Sequence, residues 1–497
     1  MKVWITTIGS SPYAVFSTLW FAVVKDSFIP NKIYLLWNNK VEKNKETLKN
    51  YIETLSKAYN INIQINEDYK VNEEDFKTFA NALKEIIIKE KKEGNEIAID
   101  MTPGRKFMSA FSMFAGLEGV SDGKNKYKCD RVYYLHLRDM GYINYPLFLI
   151  PLSLQELHEM KSELTNTKIS REILNIEGKS SLKVNRKEIM VILNCYFLKG
   201  RYKFEVKVEN QKIVEFILWG NKNKATIEIF NKNLNFSDFV GNPKDLKSVL
   251  NASGICELRF TMDWEKWFNE EEFFGYLWNK LKEKKTYYIT FDTNALINQI
   301  PQRFIDFIEK QREKISPNFL ISQCVIKEIT DERGFKIKDT PDSDYLNQPS
   351  PKDRLFKLGL SQLKLLREKN AITFNYDGKW DNDIKDSFVE FLGNKKGELL
   401  IITSDKNFFH NLSYLDDIIP IYANFRNIKK EVRWENIRDF LYVSSVVFGK
   451  IDVKYIGEIS SVWRGKNPIE WDNEIISVKG IDNNTKKVIE VLKKIVQ

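Results

Sequence analysis

The residues of this chain best suited to chemistry are carboxylates at the ends of apolar runs. Tyr287-Tyr288-Ile289-Thr290-Phe291 is β-branched and aromatic, stops at Asp292, and is followed by a helix-like pattern from Asn294 onward. That spacing reads as a buried strand feeding a helix. The shape recurs. Phe319-Leu320-Ile321 leads through Ser322-Gln323 to a helical segment carrying Glu328, and Leu399–Ile402 leads through Thr403-Ser404 to Asp405. Between them, Asp381-Asn382-Asp383 opens a segment whose Ile384, Phe388, Phe391 and Leu392 keep helical spacing, with Asp386 further in. Ligands of an open parallel sheet bind just outside its strand ends, so acids from four chain positions are expected at one sheet edge. Carboxylates suit Mg²⁺ and Mn²⁺, and clustered like charges need a cation or raised pKa values. The three histidines, His136, His158 and His410, are dispersed, so catalysis rests on carboxylates if it exists. The plainer alternative makes Asp292 and Asp381 helix caps, Glu328 a solvated helix residue and Asp405 a turn residue.

The order FDTNAL, VIKE, DND and TSDKNF, over about Thr286 to Ala423, resembles the PIN-domain nucleases. The resemblance implies a compact α/β fold and Mg²⁺- or Mn²⁺-dependent cleavage of phosphodiesters, most often in RNA, leaving a 5′-phosphate and a 3′-hydroxyl. Asp292 matches the first acid, Glu328 the helix glutamate and Asp405 the acid of the T-x-D element. For the third acid Asp381 keeps the best spacing, Asp383 is close behind, and Asp386 lies further into the helix. Asp292, Glu328, Asp381 and Asp405 are then the metal ligands, and Asn294, Thr403 and Ser404 match the small polar residues near the substrate. The Asp331–Arg354 segment, rich in Pro, Asp and Ser, departs from the family pattern and reads as a loop over the site.

Strand-like and helix-like stretches alternate from Met1 to about Ile150, which argues a doubly wound, mainly parallel sheet. Tyr145–Ile150 reads as its last strand and Leu152–Leu174 as a helix leading out. Two loops follow strands and precede helices. Thr6-Thr7-Ile8-Gly9-Ser10-Ser11-Pro12 offers a glycine and the free amides of a helix start. Asp100-Met101-Thr102-Pro103-Gly104-Arg105-Lys106 offers a hydroxyl, a glycine and two cations, a phosphate cradle. Surface cations on an ordinary turn are the alternative. Neither loop is G-x-G-x-x-G, so a dinucleotide is poorly supported.

Together these loops resemble those of CARF domains, the CRISPR-associated Rossmann-fold sensors. Asp100, Thr102, Gly104 and Lys106 match the later loop, while Pro103 and Arg105 depart from it. The resemblance implies a cyclic oligoadenylate, tetra- or hexa-adenylate, bound as allosteric activator between two protomers of a homodimer. Gly9, Ser10, Ser11, Thr102, Gly104, Arg105 and Lys106 carry the expected contacts. Asn38 sits beside the cleft by topology, and Trp37 belongs either to the cleft or to the core. Arg105 or Lys106 is also placed to stabilise a phosphate attacked by a ribose hydroxyl, so binding and self-cleavage of the ligand stay open.

The 497 residues suffice for several domains. The expected division is a CARF-like sensor (1–175), a β-rich and helical connector (176–284), a PIN-like domain (285–425) and a C-terminal extension (426–497). The fold class is therefore α/β: an N-terminal Rossmann-like doubly wound sheet, a β-rich connector and a C-terminal α/β PIN-like domain. Glu188–Leu198 reads as the first of the connector strands. Trp264, Trp267, Phe268, Phe273, Phe274, Tyr276 and Trp278 read as a packing face rather than a base-stacking platform, because Glu265 and Glu270–Glu272 dominate the polar positions. A net charge of +9 permits a nucleic-acid partner without requiring one. No stretch is apolar for the length of a membrane span. Cys129, Cys195, Cys256 and Cys324 are scattered as in a reducing, cytoplasmic setting. The joint expectation is an endoribonuclease of a type III CRISPR antiviral response, gated by cyclic oligoadenylate and acting on single-stranded RNA. The alternatives are a PIN-type RNase, toxin-like or RNA-processing, without that gate, and a non-enzymatic nucleotide-sensing regulator.

Overall fold

The computed structural model describes residues 1–72, 74–165, 178–236, 242–311, 313, 315–330, 351–378, 381–461 and 473–496. Most of the Asp331–Arg354 segment, Trp380 and the side chain of Asp381 lie outside the described residues. The chain forms two compact units. Met1–Ser180, Met190–Leu198 and Ile481–Gln497 make one, and Ser181–Ile189 with Lys199–Gly480 the other.

In the first unit β1 (Lys2–Thr7), α1 (Pro12–Lys25), β2 (Lys32–Leu36), α2 (Glu42–Tyr59), β3 (Gln64–Asn66), α3 (Phe76–Lys92), β4 (Glu96–Asp100) and α4 (Lys106–Leu117) alternate as expected. They are followed by β5 (Arg131–Leu137) and β6 (Gln155–Glu159). The sheet order is β3-β2-β1-β4-β5-β6, parallel throughout except for antiparallel β6. The order reverses between β1 and β4, so the two phosphate-type loops leave adjacent strand ends at the switch point. Pro12 opens α1 without losing a needed donor.

Two local readings are corrected here. Tyr145–Ile150 is no strand: Pro146 and Pro151 remove ladder donors, and the chain instead makes a 3₁₀ turn at Leu147–Leu149. Leu152–Leu174 is helical only in part: a 3₁₀ turn at Leu152–Leu154 and a short helix at Met160–Thr165 enclose a strand, and 166–174 lie outside the described residues. Gln155–Glu159 alternates buried and half-buried residues and adds β6, where the Glu159 carboxylate accepts from the Val132 amide at 2.8 Å.

The second unit holds a sheet whose central part repeats that layout. Its elements are β7 (Cys256–Thr261), β8 (Tyr287–Phe291), α5 (Thr293–Ile297), β9 (Asn318–Ser322), α6 (Gln323–Thr330) and α7 (Pro351–Glu368). Then come β10 (Ile372–Phe374), α8 (Asp381–Gly393), β11 (Glu398–Thr403), α9 (Lys406–Leu412) and β12 (Ile418–Ile428). The parallel order β12-β11-β8-β9-β10 again reverses in the middle, between β11 and β8. Antiparallel β7 and the short strand Phe268–Asn269 extend it beyond β12. Strands β8, β9 and β11 are almost wholly buried, as a sheet covered on both faces requires.

The expected connector and C-terminal extension share one eight-stranded sheet. Lys203–Val208 pairs with Lys450–Val453, and Ala225–Ile229 with Glu431–Val432, all antiparallel. Arg186 fastens this part to the α/β part: it donates to Asp439 at 2.8 Å and to Gln299 at 2.7 Å, the latter at the start of helix Ile300–Glu309. Glu188–Leu198 is corrected too. Ile189–Leu198 is a helix; a run broken only by Asn194 carries no period that separates a buried helix from a buried strand. Among the described residues no helix is long and apolar enough to cross a membrane, and all four cysteines are free and buried.

Candidate functional site

Three of the expected acids lie around the switch point of the second unit, linked through Thr403 and Thr293. Asp292 ends β8 and caps α5, its Oδ1 accepting from the Ala295 amide at 2.6 Å. Its Oδ2 accepts from Thr403 Oγ1, at the end of neighbouring β11. The same Thr403 oxygen accepts from the Asp405 amide at 2.9 Å. Thr293, next to Asp292, donates its hydroxyl to the Glu328 carboxylate on α6. Asp292 is only 4% exposed. Burial pushes its carboxyl up to about 7 against the opposing Thr403 and Ala295 hydrogen bonds, and the nearby charges of Glu328 and Asp405 push the same way.

The plainer alternative is partly realised in the same geometry. Asp292 is a helix cap, and so is Asp405, which accepts from the Asn407 and Phe408 amides at 2.7 and 3.0 Å. A cap is normally solvated and low in pKa; Asp292 is neither. Asp381 opens α8. Asp383, half-buried, lies beside Gly378 and close to Cys324, one helical turn before Glu328. Asp386 is exposed, with Lys385 at 3.7 Å. Thr403 is buried, Asn294 is exposed, and Ser404 Oγ is a buried oxygen without a hydrogen-bond partner among the described residues.

An all-oxygen donor set, a carboxyl whose ionisation is opposed by burial and neighbouring charge, and an unpartnered buried hydroxyl suit a hard divalent cation in kind. In spacing they fall short: no group of three or more His, Cys, Asp or Glu among the described residues is gathered to hold a metal ion. A cavity of about 540 Å³ lies elsewhere in this unit, lined among others by Arg186, Arg303, Lys429 and Asp439, and includes none of these acids.

In the first unit the two phosphate-type loops touch. A Cβ on Gly9 would come within 3.3 Å of the Gly104 amide nitrogen, a tight contact that glycine at 9 relieves. Gly104 sits at φ +98°. Ser10, Gly104, Arg105 and Lys106 are exposed, Gly9 and Ser11 half-buried. The start of α4 carries no side-chain cap, which leaves its first amides, Lys106 among them, without a side-chain acceptor. Thr102 is committed internally: its hydroxyl oxygen accepts from the Leu135 amide at 2.8 Å and bonds to Thr18 at 3.2 Å. Asn38 caps the short turn that follows, accepting from the Lys40 amide at 2.9 Å. Trp37 is half-buried; its indole N–H donates to the Glu67 carbonyl at 2.7 Å and Lys45 covers the ring at 3.8 Å.

No protein-family model matches the chain, and no curated protein does. Solved structures similar to it at low level include the following two. One is Enterococcus italicus Csm6 bound to cyclic hexa-2′-fluoro-hexa-dAMP, 10% identical, covering 90% of this chain and 93% of that one with a TM-score of 0.21. The other is a type III CRISPR defence DNA nuclease activated by cyclic oligoadenylate, 9% identical, covering 95% and 70% with a TM-score of 0.19. At those scores neither likeness carries an argument.

Sequence reading misses several residues that shape these sites. Thr293 holds Glu328; a hydroxyl directly after the strand-end acid is its only local signal. Asn44, on α2, donates to the Gly9 and Ser10 carbonyls at 3.1 and 3.0 Å and sets the first loop; nothing in its neighbourhood marks it. Asp100 is buried and bonded to Thr6 at 3.1 Å, so both switch points pair a buried aspartate with a threonine on the adjacent strand.

Proposed function

We propose that the chain is a nucleotide-responsive, divalent-metal-dependent phosphodiesterase. The second unit cuts RNA as a PIN-type endonuclease of a type III CRISPR response. The first unit takes up a cyclic oligoadenylate at the loops after β1 and β4, within a homodimer. The observation that carries the reading is Asp292, buried at the switch point, tied through Thr403 to Asp405 and feeling the charges of Glu328 and Asp405.

Asp292, Glu328 and Asp405, with Asp381 at the head of α8, would hold the ion, which supplies Lewis-acid charge to the scissile phosphate and activates water. The protein's own part is positioning. Thr403 orients one Asp292 oxygen, the Ala295 amide holds the other, and Thr293 steadies Glu328. In the first unit, Lys106 and the uncapped first amides of α4 suit a phosphate, while Gly9 and Gly104 let the two loops close on it.

The test is cleavage of a labelled single-stranded RNA with Mn²⁺, with and without cyclic tetra- and hexa-adenylate, beside Asp292→Asn. Cleavage that needs one ring and is lost in Asp292→Asn supports both halves; cleavage without a ring removes the gate. A second reading, a regulator that does not cut, is favoured by the spacing of the described acids. Under it no condition yields cleavage, and Asp292→Asn changes stability alone.

A further inference from the structure

The aromatic stretch that runs into helix Glu270–Lys280 divides in two. Phe273, Phe274 and Trp278 are core, as the sequence suggests. Trp264 and Trp267 are not: both are half-buried, whereas Trp4, Trp20 and Trp434 are almost fully enclosed. They lie in the turn between β7 and Phe268–Asn269. Thr261 Oγ1 accepts from the Trp264 amide at 3.0 Å, and Asp263 accepts from the Glu265 and Lys266 amides at 3.0 and 3.1 Å. Trp264 is held at φ +68°, a left-handed conformation that a bulky residue takes only under constraint.

The indoles continue into a strip. Trp264 lies 5.1 Å from Tyr422, stacks on exposed His410 at 5.4 Å and is 6.0 Å from Trp267. Exposed cations lie over its rings: Lys406 Nζ is 5.3 Å from the Trp264 ring centroid and the Arg426 guanidinium 4.6 Å from that of Trp267, so a bound strand would draw these two side chains from the indoles to its phosphates. The strip adjoins the acids. Tyr422 is in register with Thr403, and Lys406 follows Asp405 directly. Burial and the Asp405 charge raise the Tyr422 hydroxyl pKa.

We propose that Trp264, Trp267, His410 and Tyr422, edged by Lys406 and Arg426, form a stacking platform for unpaired bases of a single-stranded nucleic acid running into the acid site. Aromatic faces interleaved with cations are the general means of gripping single strands without reading sequence. A duplex keeps its bases stacked on one another and cannot use such a strip. The proposal rests on the nuclease reading for its substrate and names that substrate as single-stranded.

The test uses the full chain carrying Asp292→Asn, a fluorescent single-stranded RNA of about 15 nucleotides, and anisotropy at several salt concentrations. Trp267→Ala should weaken binding about ten-fold or more, with partial rescue by Trp267→Phe. Arg426→Ala alters an exposed side chain and keeps the test valid if the indole variant does not fold; it should weaken binding about three-fold and flatten the salt dependence by about one counterion. Unchanged affinity in Arg426→Ala and the folded indole variants, or equal affinity for a duplex of the same sequence, overturns the platform. The two readings separate cleanly. Weakened binding in a protein whose parent never cuts leaves the platform and removes the nuclease. Normal cutting with unchanged KM in Arg426→Ala and Trp267→Ala does the reverse.

Discussion

Thr403 donates its hydroxyl to Asp292 Oδ2 across 111 residues of chain, joining the ends of two adjacent parallel strands. The same oxygen accepts from the Asp405 amide, so one side chain sets the relation between two acids. Thr403→Val keeps the shape and removes both bonds. Leaving buried polar groups unpaired costs about 1–3 kcal/mol, and the expected result is a melting temperature a few degrees lower, with metal-dependent cleavage reduced about ten-fold or more. Thr403→Ser should recover most of both. Cleavage by Thr403→Val at the wild-type rate would remove the positioning role.

Metal binding can be read without turnover. Mn²⁺ should raise the melting temperature of the wild type by mass action on the folded state. Asp292→Asn should lose that rise and, without metal at pH 8, melt no lower than the wild type, because a charge opposed by burial is gone. An equal Mn²⁺ shift in both proteins counts against Asp292 as a ligand.

Asp100 predicts a pH dependence in the first unit. Burial lifts its carboxyl from 3.8 to about 7 despite bonds from Thr102 and Thr6. Between those values the folded chain keeps a proton that the unfolded chain has released, so stability falls as pH rises from about 4 to about 7. Asp100→Asn should remove this part of the slope and gain on the wild type at pH 8. Thermal melts at pH 5 and 8 check it; parallel curves for the two proteins would contradict it.

Lys106→Ala should abolish activation by cyclic oligoadenylate while leaving the Mn²⁺ shift intact, since exposed Lys106 belongs to the first unit and the acids to the second. Activation of this variant at wild-type ligand concentrations removes the sensing assignment. Titration calorimetry with the ring separates lost binding from lost transmission.

Asp439 lies between Arg186 and Arg438 at 2.8 Å from each. Burial pushes its carboxyl up, but the two guanidinium groups prevail and hold it at about 2. Asp439→Ala strands buried cations, and breaking such a pair costs about 3–5 kcal/mol. Chemical denaturation should show a loss of that order, with Glu474, 3.0 Å from Arg186, moderating it.

Short-range pattern carries far in this chain. The β-branched run ending at Asp292, the helical spacing around Glu328 and the T-x-D element at Asp405 set each acid at a strand end or a helix start, because period and termination are local properties. The alternation from Met1 onward determines a doubly wound sheet for the same reason, and Gly9 marks a close approach because a missing Cβ eases it. Ile189–Leu198 shows where this stops: a decamer broken only by Asn194 carries no period, and most of it is buried. Gln155–Glu159 joins a sheet only because β5 offers it an edge. That Asp292 is buried beside Thr403 rather than solvated as a cap, and that Trp264 and Trp267 meet Tyr422 and His410 from other strands and helices, depends on contacts across more than a hundred residues. Desolvation and like charge raise the Asp292 pKa, and both exist only once distant segments have packed.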